Sequence, residues 1–377
     1  MYVVIVGELL VYSVNTETGE LIEKTQTFNH ENIIDIDGVS FFPNKLVKSS
    51  DGNQLYLSAN FGVNENGSSF PWDESVLQFD IAADGSLTYV DRTIVEEGLI
   101  NGDMAITSDG KFIYTSSNSD DIAMLTRAPN GQTTYIGSIS EDLFGITFIN
   151  VGELLISPDN NNLYASSTFN DGHLHVFSIN QSTGALTSIQ ALQHEDLEIV
   201  EFSNDSHTRS KAVSGEGIAI SADGLNLYTI PDRVGPEGVV GVFTRNSDGT
   251  IIFQSQIIAP LDTTGTTLNS LFSPDDIVVS PNQKYVYALD AVIGNILVFE
   301  RKANGDLEFL DVISDVNSDA DFSTGETHQM TISENGYYLY TNNQLGIIAF
   351  DLRTDLSIVK TDAVDPVLES ADIEIIR

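Results

Sequence analysis

The sequence predicts an all-β protein: a seven-bladed β-propeller, four antiparallel strands to a blade, with residues 1–377 forming a single domain. Three observations predict it. A short turn phrase recurs six times along the chain. A second hairpin phrase follows each copy. The two ends of the chain supply complementary parts of one further unit, so the units close into a ring.

The first phrase is "SDGNQLY" from Ser50, "SDGKFIY" from Ser108, "SPDNNNLY" from Ser157, "SADGLNLY" from Ser221, "SPNQKYVY" from Ser280 and "SENGYYLY" from Ser333. A tyrosine closes each copy: Tyr56, Tyr114, Tyr164, Tyr228, Tyr287 and Tyr340. Spacing is tight inside the phrase, while successive serines lie 49 to 64 residues apart. A repeated hairpin joined by variable outer loops has that signature. The second phrase is an apolar run ending in Phe, followed by a turn glycine, as in "VLQFDIAADGSL" and "ILVFERKANGDL". Gly85, Gly184, Gly249 and Gly305 mark these turns. Asp-Gly and Asn-Gly between alternating apolar runs signal a hairpin, because the turn needs a positive φ. Each unit is therefore two hairpins, with strands a, b, c and d.

The N-terminal "MYVVIVGELLVYSVNTETGEL" reads as strands b, c and d of a blade that lacks its strand a. The C-terminal "ESADIEIIR" (369–377) reads as a lone strand that supplies it. Apolar residues occupy both registers of the c strands, Leu77, Leu297 and Ile348 in one and Val11, Val176, Val242 and Val298 in the other. A sheet sandwiched between two other sheets needs both faces apolar. No run of 18 apolar residues is present, so no membrane insertion is expected.

Composition narrows the function classes. Asp and Glu total 55 against 16 Lys and Arg, a net charge of −39. That field repels nucleic acid and anionic lipid surfaces. The chain has no cysteine, which excludes disulfides, thiol nucleophiles and Cys-based zinc sites. The N-terminus carries no signal-peptide pattern, so the chain is cytosolic or has lost a leader. An exported or cell-surface bacterial location and a monomeric state are the expectations.

Phrases such as "ISPDNNNLYASS", "VVSPNQKYVYALD" and "HVFSINQSTGAL" resemble the lactonase-like, YVTN-type seven-bladed propellers over nearly the whole chain. That family includes bacterial 6-phosphogluconolactonases, muconate-cyclising enzymes and propellers without a known reaction. The resemblance implies a site at the channel mouth built from a histidine and basic groups. His328 and Lys45 match that kind of position.

The topology also assigns the two faces. The short a–b and c–d turns share one face. The b–c and d–a connections, several of them long, share the other, where a rigid scaffold displays functional loops. Any ligand is expected there, over the central channel. Counting five residues back from each repeat serine gives Lys45, Asp103, Gly152, Glu216, Asp275 and His328, with Glu153 and Asp276 one place later. Asp103, Glu153, Asp275 and Asp276 form a candidate Ca²⁺ site, because Ca²⁺ takes several hard oxygens. The plain alternative is a ring of solvated rim acids.

Lys45, Trp72 and Arg209 are candidate ligand-binding residues; Trp72 is expected in a long loop, where it could stack on a sugar. His173 and His175 share one face of a c strand and read as packed core histidines. Asp35-Ile36-Asp37-Gly38 opens like a calcium loop but lacks the rest of that motif, so it reads as a turn.

Two function classes follow. The first is a non-catalytic propeller that binds a small molecule, glycan or protein on the long-loop face, with Ca²⁺ as an optional cofactor. The second is a lactonase- or cyclase-like enzyme at the channel mouth, with His328, Glu216 and Arg233 as acid–base and anion-binding groups. A structural module of a larger surface protein is a third possibility.

Overall fold

The repeated serine phrase folds into one turn, used six times. Ser49 Oγ donates to Asp51 Oδ1 (2.6 Å) and accepts from the N–H of Gln54 (2.9 Å), and Gly52 takes a φ of 73° between them. Ser157–Asp159, Ser221–Asp223, Ser280–Asn282 and Ser333–Asn335 repeat the hydroxyl-to-side-chain bond, and Thr107–Asp109 does so with a threonine. The hydroxyl and the Asp or Asn two residues on fix the loop's backbone, and this sets the spacing seen in the sequence. Four of the described c–d turns are three-residue loops, and the blade 4 turn between Asn180 and Ala185 holds four residues. In the last complete one, Gly305 N–H donates to Lys302 O, Lys302 N–H donates to Asp306 O, and Gly305 has a φ of 88°.

The structure is a computed structural model that describes residues 1–5, 7–15, 17, 19, 21–33, 39–63, 72–95, 102–116, 121–140, 151–167, 173–193, 217–230, 239–258, 274–290, 295–314, 329–343, 346–353, 360–362 and 374–376. The strands form seven four-stranded antiparallel sheets. Blade 2 comprises Val39–Lys48, Gln54–Val63, Trp72–Ile81 and Leu87–Ile94. Blade 3 runs Met104–Ile106, Phe112–Ser116, Ile122–Arg127 and Thr133–Ile139. Blade 4 is Val151–Ile156, Asn162–Ser167, His173–Ile179 and Leu186–Gln193. Blade 5 is Gly217–Ile220, Asn226–Ile230, Val239–Arg245 and Ile251–Ile258. Blade 6 is Pro274–Val279, Tyr285–Asp290, Asn295–Arg301 and Leu307–Ser314. Blade 7 is Met330–Ile332, Tyr338–Asn343, Gly346–Asp351 and Lys360–Asp362. Among the described residues the one helix is the single turn His30–Ile33, so none is long and apolar enough to cross a membrane.

Blade 1 joins the two ends of the chain. Glu374–Ile376 is its strand a, beside Tyr2–Ile5, Glu8–Val14 and Leu21–Phe28. The pairing Tyr2↔Ile376, Val3↔Ile375 and Val4↔Glu374 closes the ring as the sequence predicts. The seven a strands then contact one another in cyclic order around a central channel.

Seven buried apolar clusters fill the spaces between neighbouring blades. Val3 and Leu10 of blade 1 pack on Tyr338 and Tyr340 of blade 7, while Tyr2, Val4, Leu9 and Val11 pack on blade 2. Burial on both faces of every blade explains the apolar residues in both c-strand registers.

The repeat tyrosines latch one blade to the next. Tyr56, Tyr114, Tyr164 and Tyr228 donate their hydroxyls to the carbonyls of Gly131, Gly184, Gly249 and Gly305, at 2.8 to 2.9 Å. Tyr2 does the same to Gly85 at 3.0 Å. In blade 7 the latch is Tyr338, not Tyr340: its hydroxyl reaches Glu17 O in blade 1. Three arginines reinforce the latches. Arg127, Arg245 and Arg301 each donate Nε to the tyrosine hydroxyl of the preceding blade. Arg245 and Arg301 also pair with that blade's turn acids, Asp159 and Asp223, at 2.8 and 2.9 Å. At Gly305 a Cβ would lie 2.1 Å from Asn226 Nδ2, so glycine is required there by space as well as by φ.

Candidate functional site

The turn serines locate the channel residues. The hydroxyl that closes each a–b turn belongs to Ser49, Thr107, Ser157, Ser221, Ser280 and Ser333. In blades 2 and 3 it therefore precedes by one the serine that the phrase alone picks out, Ser50 or Ser108. Counted from these hydroxyls, the equivalent positions are Lys45, Asp103, Glu153, Gly217, Asp276 and Gln329. This corrects the sequence-based ring. Asp275 sits one residue out of register, and Glu216 and His328 precede the equivalent residues Gly217 and Gln329.

Local structure aims these side chains. The backbone N–H groups of Lys45, Asp103 and Glu153 each donate to a b-strand serine, Ser58, Ser116 and Ser166, at 3.0, 2.7 and 3.1 Å. In blades 2, 4 and 6 the a–b pairing slips at this point, between Pro43 and Leu46, Val151 and Leu154, and Pro274 and Asp276. A bulge of this kind turns a side chain out of the ladder. Lys45, Asp103, Glu153 and Asp276 all line one chamber of about 530 Å³ in the central channel. That size suits a small-molecule site.

The acids reach sideways as well as inward. Asp103 Oδ2 accepts from Leu154 N–H (2.8 Å), and Glu153 Oε2 accepts from Ile218 N–H (2.6 Å). Asp276 Oδ2 accepts from Met330 N–H, and its Oδ1 accepts from Ile277 N–H (2.7 Å). Each carboxylate thus satisfies an inner-edge amide of the next blade, an edge that no strand pairs. Lys45 Nζ lies 3.1 Å from Asp103 Oδ1 and is the one cation among the described lining residues.

Burial in the channel raises the pKa of Glu153 well above the usual glutamate range; the Asp276 and Asp103 charges add to this, and Lys45 and the Ile218 amide oppose it. Asp276 is pushed up to about 6, again mainly by burial, against the pull of the Met330 amide and Lys45. The chamber therefore sets a carboxyl whose pKa is strongly raised beside two further acids and a lysine. Groups so matched can exchange protons with a bound substrate.

Of the remaining sequence candidates, Glu216, His328, Arg209, Arg233 and Asp35-Ile36-Asp37-Gly38 lie outside the described residues. Asp275 does not line the chamber. Among the described residues, no three acidic or histidine side chains converge closely enough to hold a metal ion. Trp72 opens strand c of blade 2, paired with Gly62, and does not sit in a loop. Strands b and c of that blade run ten residues each, which shortens the connection to 64–71. His173 and His175 stack at 5.8 Å, and His175 stacks on Phe177 at 6.3 Å, a core ladder away from the channel. Burial, then the neighbouring His173, lowers the His175 pKa to about 3, so it is neutral at physiological pH. Sequence reasoning missed Gly217 and Gln329; the turn hydroxyl, counted correctly, is the signal that finds both.

No protein-family model matches the chain, and no curated protein sequence does. Solved structures do. The periplasmic gluconolactonase PpgL of Pseudomonas aeruginosa superposes with a TM-score of 0.69 at 16% identity, covering 99% of this chain and 98% of that one. A provisionally assigned 6-phosphogluconolactonase from Bacteroides fragilis gives 0.66 at 18% identity, covering 96% and 94%. A functionally unknown protein from Desulfotomaculum acetoxidans gives 0.63 at 15%, covering 99% and 98%. The chain shares the seven-bladed propeller fold of these structures. At these identities the likeness is one of fold, and the resemblance read from the repeat phrases holds at that level.

Proposed function

We propose that the chain hydrolyses an uncharged lactone in the central channel, at the end that receives the long connections. The observation that carries this is the chamber itself: Lys45, Asp103, Glu153 and Asp276 line one volume at the start of the a strands. The fold shared with a gluconolactonase supports it by analogy.

Opening a lactone needs a water oxygen to attack the carbonyl carbon while the ring C–O bond breaks. The water loses a proton, and the ring oxygen gains one. In this reading the Asp276 carboxylate takes the first proton and the Glu153 carboxyl supplies the second. Lys45 stabilises the oxyanion between the two steps, and Asp103 holds Lys45 in place. The net charge of −39 disfavours a phosphorylated substrate. The periplasmic location named for the Pseudomonas protein supports export of this chain as part of the same proposal.

A lactone panel tests it. Gluconolactone, simple γ- and δ-lactones and 6-phosphogluconolactone are followed by acid release at pH 6 to 7. Uncharged lactones are expected to turn over faster than the phosphate. Glu153→Gln should lose roughly a hundredfold in rate, the scale of one proton-transfer group. Rates no higher than the uncatalysed reaction would overturn the proposal, as would a Glu153→Gln variant equal to wild type. Saturable binding without turnover would instead favour the non-catalytic reading. That reading has its own support, since each of the three acids has an oxygen bonded to a backbone amide.

A further inference from the structure

The chamber has two ends of different chemistry. The four charged residues Lys45, Asp103, Glu153 and Asp276 form a collar in one layer, at the start of the a strands. Below them the side chains of the wall are mostly aliphatic, the half-buried Leu155, Ile220, Val278, Val279 and Ile332, with Thr331 among them. No further charged residue lines it among the described residues. The far end is bordered by Ala222, Pro281 and Gln283 of the a–b turns, where Ala222 N–H donates to Gln283 Oε1 (2.7 Å). Lys48 and Glu334, 3.3 Å apart, join blades 2 and 7 on that same face.

We propose that the ligand of this channel is an amphiphile: a compact polar head such as a lactone ring at the collar, carrying an unbranched hydrocarbon arm that runs down the bore. This deepens the hydrolase reading, and it names a substrate class for the same chamber. A polyhydroxy lactone filling the bore could bond only to inner-edge backbone groups and Thr331, and it would leave the side chains of Ile220, Val278 and Ile332 without an apolar partner. A methylene arm gains from that same wall, because each buried CH₂ favours the bound state. The collar also excludes the opposite orientation, since an alkyl arm there would strip water from Lys45 and Asp103.

The test separates binding from turnover. The full chain is titrated calorimetrically with 5-alkyl-pyrrolidin-2-ones, lactams that mimic the head but are not hydrolysed, with alkyl arms lengthened one carbon at a time. Affinity is expected to rise about fourfold per methylene until the arm reaches the far rim, with an increasingly negative heat-capacity change. Val278→Asp should flatten that slope. Ile252→Asp, on an outer strand where Ile252 is 58% exposed, should leave it intact. If Val278→Asp does not fold, the wild-type slope decides alone. Affinity independent of arm length, or a slope unchanged in folded Val278→Asp, overturns the inference. Gluconolactone turnover with no slope leaves the hydrolase reading standing and removes this one. A slope without hydrolysis of any lactone keeps this inference and removes the hydrolase.

Discussion

Asp276→Asn should change the sign of its effect on stability with pH. The Asp276 carboxyl has its pKa raised from 3.8 to about 6 in the folded protein. The folded state therefore holds this proton after the unfolded state has lost it. The associated stability is fully present below about pH 4 and is lost as pH rises through 6. A shift of about two pKa units corresponds to about 3 kcal/mol, carried by wild type as a penalty above pH 7. Asparagine removes the penalty, but its amide nitrogen replaces an oxygen that accepts from Met330 N–H or Ile277 N–H. Losing that bond costs about 1 kcal/mol. The variant should be about 1 kcal/mol less stable than wild type at pH 4 and about 2 kcal/mol more stable at pH 8. Urea unfolding of both proteins at the two pH values measures this. A difference that is the same at both, or a variant weaker at both, would refute the burial argument for the collar.

Three further outcomes follow from other parts of the ring. Gly305→Ala should destabilise by about 3 kcal/mol or more, because a strained φ is compounded by the approach of Asn226, whereas Gly52→Ala, with nothing within 4 Å, should cost only about 1 to 2 kcal/mol; denaturant midpoints compare them. His175 has its pKa lowered to about 3, so as pH falls below 6.5 the unfolded state takes up a proton that the folded state refuses. His175→Leu, which places leucine in the register of Leu77 and Leu297, should therefore remove about 2 kcal/mol of acid-side stability loss between pH 7 and 5, read from thermal melts at both. Lys45→Met leaves Asp103 without its cation and should move the acid limb of the lactonase pH profile upward, as Glu153 and Asp276 lose a neighbouring positive charge.

The ring was legible because its determinants are local and repeated. Turn glycines announce positive φ, the tyrosines stand at a fixed distance from the turn hydroxyl, and the terminal strands complement each other in number. What the tyrosines do was not legible. Their bonds to Gly131, Gly184, Gly249 and Gly305 join residues far apart in sequence. The channel ring was legible in composition but slipped by one residue in places. Blades 2 and 3 carry two hydroxyl residues in a row, Ser49-Ser50 and Thr107-Ser108, and only three-dimensional bonding shows that the first of each closes the turn. The bulges beside Lys45, Glu153 and Asp276 leave no mark in composition, although they decide which side chains enter the channel. Trp72 was misplaced because "GVNENGSS" reads as loop, while the strands on either side of it extend further than their apolar runs suggest.

The most direct test of the channel as the working site is a crystal structure of the protein with a non-hydrolysable alkyl lactam. The lactam ring should lie among Lys45, Glu153 and Asp276, with its arm pointing toward Ala222 and Gln283. A lactam bound on the outer strands, or a channel that stays empty at saturating ligand, would contradict the account.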